Sequence, residues 1–319
     1  MDFSLSEERK MLQETVARFF ENNYKDIKKR SEYLEMNDGF SREFWKESSN
    51  LGVISGLISP SFGGLGGSGE DISIIFELIG KSLCIEPFLS SGLLSSIILS
   101  SIKNPKTELI GQIIDGELLI SFAHMEMNNR YEDRFVETKA ILKNNNWKLS
   151  GSKSFVINGD SAEKVIISAR IGGKINDKNG IGLFLVDSNH INNRSYNTID
   201  GYRAAELNFD NVNAELLCKD DLALECIVQA NSAGALALSA EAVGIMQVCF
   251  DLTLEYLKTR KQFGKSISQN QAIQFKLADM SMCLLKECYK AVFPDATELQ
   301  LVNKILLDQY STNASSTSA

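Results

Sequence analysis

Tyr256-Leu257-Lys258-Thr259-Arg260-Lys261-Gln262-Phe263-Gly264-Lys265-Ser266-Ile267 runs on into Gln271-Ala272-Ile273-Gln274-Phe275-Lys276-Leu277-Ala278-Asp279-Met280. The stretch reads as the end of a long helix, a short basic turn with a glycine, and the start of a second helix. The turn sets Arg260, Lys261 and Lys265 beside Phe263. Cations beside an aromatic ring suit a phosphate-bearing ligand with a flat portion. The plainer reading is a solvated corner between two helices.

Upstream of the turn, Leu222–Lys258 contains no proline and is dominated by Ala, Leu and Glu. A helix of that length must bury much of its circumference, in a bundle or against a partner. Within it, Glu241 is the sole charged side chain between Cys226 and Phe250. Its helical neighbours are Gly234, Ala237, Leu238, Gly244, Ile245 and Val248. A carboxylate on such a face is costly to bury, so its pKa is expected to rise, and small neighbours leave room for a ligand. The competing role is an ion pair with an arginine or lysine across a helix interface. Downstream, Phe293–Ala319 holds Pro294 and ends in a small polar run, so an irregular or disordered tail is expected.

Further toward the N-terminus the hydrophobic period changes. Leu118–His124, Phe135–Leu142, Trp147–Asn158, Val165–Ala169, Ile181–Val186 and Ala204–Phe209 read as short strands, with a hairpin at Asn144-Asn145-Asn146. Before them the pattern is helical. Ser4-x-x-Glu7 can act as a capping box, and helices are expected near Ser41–Leu51 and Asp71–Cys84, with Pro87 breaking the chain before the apolar Leu93–Leu99. Helices, strands, then helices make an α+β class: an N-terminal helical domain (1–115), a central antiparallel β domain (116–219), a partial C-terminal helical bundle (220–292) and a tail (293–319).

The chain has 319 residues, 44% hydrophobic and 23% charged, with net charge -8. An acidic balance argues against nucleic acid or an anionic membrane as the main partner. The six cysteines show no paired spacing, and two histidines make a histidine-rich metal site unexpected, so no metal is assigned. No signal peptide and no apolar run of membrane-spanning length is read, and a reducing cytoplasm is the expected location. Gly64-Leu65-Gly66-Gly67-Ser68-Gly69 satisfies G-x-G-x-x-G. A dinucleotide fold also needs a strand before it and a parallel partner after it; Val53–Ile58 could serve as the strand, but Pro60 intervenes and no second parallel strand follows at the right distance. A glycine-rich loop between helices is the expectation.

The string R-K-Q-F-G-K-x-I followed by Q-x-I-Q-x-x-L-A-D-M resembles the flavin-contacting turn of the acyl-CoA dehydrogenase family. The order helical domain, β domain, helical bundle is also that family's, and the resemblance spans roughly Met1 to Tyr289. It implies FAD as cofactor, an acyl-CoA substrate, electron-transfer flavoprotein as electron acceptor, and a homo- or hetero-oligomer. Arg260, Gln262 and Phe263 take the positions that reach the FAD pyrophosphate and adenosine of a neighbouring subunit. Gly151-Ser152-Lys153-Ser154-Phe155-Val156-Ile157-Asn158-Gly159 is similar to the family strand G-x-K-x-W-I-T-N-G. Phe155 takes the place of the aromatic beside the flavin. Ile157 replaces a threonine that usually bonds flavin N5, which leaves only backbone groups for that task. In Phe122-Ala123-His124-Met125-Glu126-Met127-Asn128-Asn129-Arg130-Tyr131 the family's acidic position survives as Glu126, and Arg130 offers charge to the pyrophosphate. His124 reads as a structural residue at a strand end.

In the resembled reaction a carboxylate removes the α-proton of a thioester. No Y-E-G-T-like stretch near the C-terminus supplies it here, so the resemblance assigns that base to Glu241. Ala240-Glu241-Ala242-Val243-Gly244 resembles small, often heteromeric bacterial members acting on pimeloyl-type or sterol side-chain thioesters. The family's last helices, with a G-G-x-G stretch, are not found in the sequence. Two alternatives remain open: a non-catalytic subunit completing a flavin site on another chain, or an acyl-CoA oxidase.

Overall fold

A computed structural model describes residues 5–24, 26–129 and 131–292, the last eight by backbone alone. These fall into two compact units: the described parts of Met1–Ile75 with Cys84–Ala235, and of Phe76–Leu83 with Leu236–Ala319. Arg130, Ser4 and the expected tail 293–319 lie outside the described residues.

The first unit opens with helices α1 (Glu7–Tyr24), α2 (Ile27–Leu34) and α3 (Arg42–Asn50), followed by α4 (Gly69–Ser82), which contributes residues to both units. Side-chain caps start three of them. Ser6 Oγ accepts from Arg9 N in the first turn of α1, Asp26 from Lys28 N, and Ser41 from Phe44 N. Phe88–Ser95 forms a π-helical turn that continues into α5 (Ser96–Ser101), and α6 (Thr107–Ile114) follows. Ser95 and Ser96 donate back five residues to Ser90 O and Ser91 O, which stabilises the wide turn. Phe20, Phe44, Trp45 and Phe88 pack with tilted rings around this segment, all nearly inaccessible.

The sheet holds seven strands: β1 (Ile120–Ala123), β2 (Lys139–Lys143), β3 (Asn146–Ile157), β4 (Lys164–Arg170), β5 (Ile181–Asp187), β6 (Asn192–Asn197) and β7 (Arg203–Lys219). The ladder runs β4–β2–β3–β7–β5 and returns to β4, so it closes on itself, with β1 beside β4 and β6 beside β7 outside the ring. Closure leaves these strands no free edge and encloses a core of Leu149, Val156, Ile167, Phe184, Val186 and Leu207. The sheet is mixed, not purely antiparallel: β1 and β4 pair in parallel, and β2 touches β4 likewise. β6 carries no hydrophobic alternation, being Asn-Asn-Arg-Ser-Tyr-Asn, and was invisible to pattern reading.

The long helix expected at Leu222–Lys258 is α7 (Asp221–Thr259), and α8 (Gln271–Val292) follows the basic turn. α7 corrects one expectation. It is long and apolar enough to cross a membrane by length and composition alone, with a mean hydropathy of 1.6 over its best window. Only 28% of that window is buried, so much of its circumference is not covered. Leu238, Leu252 and Tyr256 remain half-exposed or more.

The glycine-rich loop does lie between helices. Leu65, Gly66 and Gly67 donate their N–H groups to Ser55 O, Ile58 O and Gly56 O, so the loop is spent on its own chain and offers a phosphate no cradle. The segment before it forms 3-10 turns, not a strand.

Candidate functional site

In the first unit the site builds up from β3. Lys153 pairs with Leu207 of β7, and the next pairing is Val156 with Ala205, so Ser154 and Phe155 together face Glu206. This is a bulge, and it turns Phe155 outward. Phe155 sits at φ 52 and is 45% exposed, an unusual state for a large aromatic. The bulge N–H of Ser154 donates to Met125 O at 2.9 Å. Glu206 accepts from Tyr196 Oη at 3.1 Å, and the Tyr196 hydroxyl is raised above its ordinary range, by burial first and then by Glu206. Ile157 is partly buried, and its carbonyl accepts from Ser121 Oγ.

Behind the bulge lies a cluster of buried polar groups. Lys153 Nζ donates to Glu126 Oε1 at 2.6 Å, Ser168 Oγ at 2.9 Å and His124 O at 3.1 Å. Both partners of the ion pair are inaccessible, at 0% and 2%. Glu126 Oε1 also accepts from Thr138 N and Thr138 Oγ1, and Oε2 from Glu137 N. His124 Nδ1 meets Ser168 Oγ at 2.9 Å, while its Nε2 is buried without a protein partner. Burial pulls Lys153 down to about 8, against the opposing charge of Glu126. Burial, and then Lys153, hold His124 near 3, so it is neutral. Glu126 is pushed up by burial, but Lys153 and the Thr138 and Glu137 amides outweigh this and hold it below the usual carboxylate range.

The Glu126 carboxylate, expected to meet the cofactor, is engaged inside the sheet by Lys153, Thr138 and Glu137. The sequence carried no signal of the partnership, because Lys153 and Ser168 come from strands with unrelated patterns.

In the second unit, Glu241 lies on α7 and is partly buried. A Cβ built on Gly80 of α4 would stand 2.0 Å from Glu241 O, and one on Gly244 would stand 2.0 Å from Glu77 O. The two helices therefore cross with backbones in contact. Ala237 is fully buried, and in the first unit a Cβ on Gly234 would meet Leu94 Cδ2 at 3.1 Å. The small residues read as ligand space are thus occupied by packing.

The basic turn is a two-stranded hairpin, β8 (Lys261–Gln262) and β9 (Lys265–Ser266). Phe263 (φ 52) and Gly264 (φ 80) form its loop, the left-handed pair of a type I′ turn. Ser266 Oγ ties the hairpin to Leu257 O at 2.8 Å. Arg260 through Lys265 are all exposed, Phe263 wholly so at 102%. Arg260, Lys261 and Lys265 make no ion pair among the described residues. Unpaired cations beside an uncovered ring fit a pyrophosphate and a flat heterocycle, and Phe155 fits the face of a second ring. Ile157 adds no side-chain donor. The donor set therefore fits FAD in part, at the turn and at the bulge.

Comparison with known proteins agrees. Residues 6–117 match the acyl-CoA dehydrogenase N-terminal domain and residues 225–284 the C-terminal domain. The chain is 30% identical to the Bacillus subtilis protein described as probable acyl-CoA dehydrogenase YngJ, over 88% of this chain and 77% of that one. Among solved structures it resembles a chain of the ChsE4-ChsE5 complex from Mycobacterium tuberculosis, with TM-score 0.77 and 21% identity over 94% and 82% of the two chains. It also resembles a chain from the structure of the Acidaminococcus fermentans electron transferring flavoprotein, with TM-score 0.79 and 22% identity over 92% and 81%.

Proposed function

The chain belongs to the acyl-CoA dehydrogenase family of FAD-dependent oxidoreductases, and on that premise we propose that it introduces an α,β double bond into an acyl-CoA thioester with Glu241 as base. The observation that carries this is Glu241 itself: the one charged side chain between Cys226 and Phe250 of α7, partly buried, with its backbone clamped against Gly80. A carboxylate with restricted hydration is a stronger base than one in water, and a fixed helix backbone limits the positions it samples. FAD would supply the acceptor for the β-hydrogen as hydride, and the Glu241 carboxylate takes the α-proton. Arg260, Gln262 and Phe263 hold the phosphate and ring portions from the hairpin, and Phe155 backs the flavin. Ile157 lines that wall by contact alone. Arg130 remains proposed from sequence for the pyrophosphate. The domain limits at 115, 219 and 292 belong to the same proposal.

Two features support an oligomer. Leu238, Leu252 and Tyr256 lie exposed on α7, and the hairpin cations are free to engage a ligand held elsewhere. The heteromeric ChsE4-ChsE5 complex and the electron transferring flavoprotein structure support a second subunit and an electron-transfer flavoprotein as partners.

The test is a visible spectrum of the purified chain, followed by anaerobic titration with a panel of acyl-CoA thioesters. Bound flavin that bleaches is expected. A colourless chain that gains flavin only with a second subunit would establish the other reading, a partner that completes a site elsewhere; the full exposure of Phe263 favours it.

A further inference from the structure

We propose that the buried Glu126–Lys153 pair is a positioning device for Phe155: it fixes the register of β3 so that the two-residue bulge forms at Ser154–Phe155 and presents the aromatic ring to the flavin. The flavin half of this rests on the functional reading above. The argument starts from alternation. Strand side chains point inward every second residue, so an unbroken β3 that buries Lys153 would bury Phe155 and expose Val156. The structure instead buries Lys153 and Val156 and exposes Phe155. Lys153 keeps the phase of buried Leu149 and Val156 breaks it, so the phase changes at Ser154–Phe155, and the surroundings of Lys153 fix where that change falls. All three ammonium protons have acceptors: His124 O just after β1, Glu126 in the segment between β1 and β2, and Ser168 on β4. A one-residue slip of β3 would pull the ammonium from this cage and strand a buried carboxylate, so the alternative registers are strongly disfavoured. Specifying register is the best-attested use of a buried polar pair.

The same segment grips the bulge itself. Met125, whose carbonyl takes the Ser154 N–H, lies between His124 and Glu126, which both bind Lys153. Thr138 Oγ1 donates to Glu126 and stands 3.1 Å from Ser152 O, closing the ring one residue before Lys153. Lys153 and Glu126 touch neither substrate nor cofactor in this scheme.

Three variants test the proposal: Glu126→Gln, Thr138→Val, which keeps the shape while removing one bridge, and Val186→Ala as a destabilised control in the same core. Hydrogen exchange at Ser154 and Phe155 needs no cofactor. It should accelerate about tenfold in Glu126→Gln and by less in Thr138→Val, relative to the control at matched melting temperature. FAD affinity by fluorescence titration should weaken about tenfold, and the visible circular dichroism of the bound flavin should change, with neither altered in Val186→Ala. Exchange at the bulge no faster than in the control overturns the proposal, and Thr138→Val decides it if Glu126→Gln does not fold. Faster exchange with unchanged flavin affinity and dichroism overturns the positioning of the ring. If the unaltered chain takes up no FAD, alone or with a partner subunit, the functional reading fails and the flavin half of the proposal falls with it.

Discussion

Replacing Gly244 by alanine separates packing from ligand space at the helix that carries Glu241. A Cβ there would lie 2.0 Å from Glu77 O, 2.9 Å from Lys81 N and 3.0 Å from Glu77 C, whereas ordinary contact begins near 3.4 Å. All three atoms belong to the backbone, so no rotamer change relieves the clash. α4 and α7 must part by about 1.4 Å, and the buried neighbours Val243, Ala240, Leu78 and Ile79 lose contact as they do. Overpacking of this kind costs about 3 kcal/mol at the upper end of its range. The higher helix propensity of alanine offsets about 1 kcal/mol. A net loss of about 2 kcal/mol should lower the melting temperature by about 5 °C. Gly80→Ala, which would meet Glu241 O at 2.0 Å, should behave alike and also shift the Glu241 backbone. Gly111→Ala on α6 is the control, since a Cβ there meets nothing within 4 Å; it should raise the melting temperature by about 2 °C. Scanning calorimetry reads all three. If Gly244→Ala and Gly80→Ala are neutral or stabilising like Gly111→Ala, the close crossing is refuted, and space beside Glu241 returns as an explanation for its small neighbours.

Glu241→Gln should abolish bleaching of bound flavin by acyl-CoA, a rate loss of at least about a hundredfold, with melting temperature and flavin content retained; unchanged bleaching removes Glu241 as the base. Phe263→Asn places in the left-handed turn position a residue that tolerates it, so the melting temperature should rise by about 2 °C. Retained FAD should fall in the same variant, and a chain both more stable and equally loaded would show that Phe263 makes no cofactor contact. His124 and Glu86 should tilt the pH dependence of stability in opposite directions. Folded His124 titrates near 3 against an ordinary 6.5, so its contribution is complete above 6.5 and is lost as pH falls. Burial raises folded Glu86 to about 7 from an ordinary 4.5, so its contribution is complete below 4.5 and is lost as pH rises through 7. Between pH 4.5 and 6.5, melting curves of His124→Phe should therefore slope more negatively with pH than the parent's, and those of Glu86→Gln more positively. Parallel curves in all three would contradict both burial arguments.

What the sequence disclosed followed the strength of local signals. α7 was legible because proline is absent and alanine and leucine recur, and its limits were found within one residue at each end. Ser41 announced α3, and its side chain does accept from Phe44 N. β6 was not legible because every second residue is polar on both faces. β7 was read only to Phe209, because Asp210-Asn211 resembles a turn; Asn211 does take φ 52, yet the ladder runs on to Lys219. For the site, residue type and spacing pointed to the hairpin, and the family resemblance pointed to Phe155. Burial could not be read that way. Glu126 looked available because a lone sequence does not show that Lys153, Thr138 and Glu137 converge on it.

The backbone adds an argument that composition could not. Among described residues other than glycine, nine have positive φ, and five are asparagine or aspartate, which tolerate it. The other four are Leu83, Tyr131, Phe155 and Phe263, and the three aromatics are exposed. A bulky residue held there costs about 1–2 kcal/mol, and an exposed ring recovers little of that from packing in the free chain. Folding stability alone therefore gives no reason to keep Phe155 on a bulge and Phe263 at a hairpin tip, where asparagine would serve better. Each arrangement becomes favourable once a flat apolar surface covers the ring, since burial of an aromatic side chain contributes more than the strain removes. Two of the three exposed aromatics held at positive φ, Phe155 and Phe263, are also the two aromatics that the sequence resemblance assigns to the cofactor; Tyr131 has no such assignment. That overlap supports the proposed assignment of each, taken separately, to a planar and phosphate-bearing cofactor.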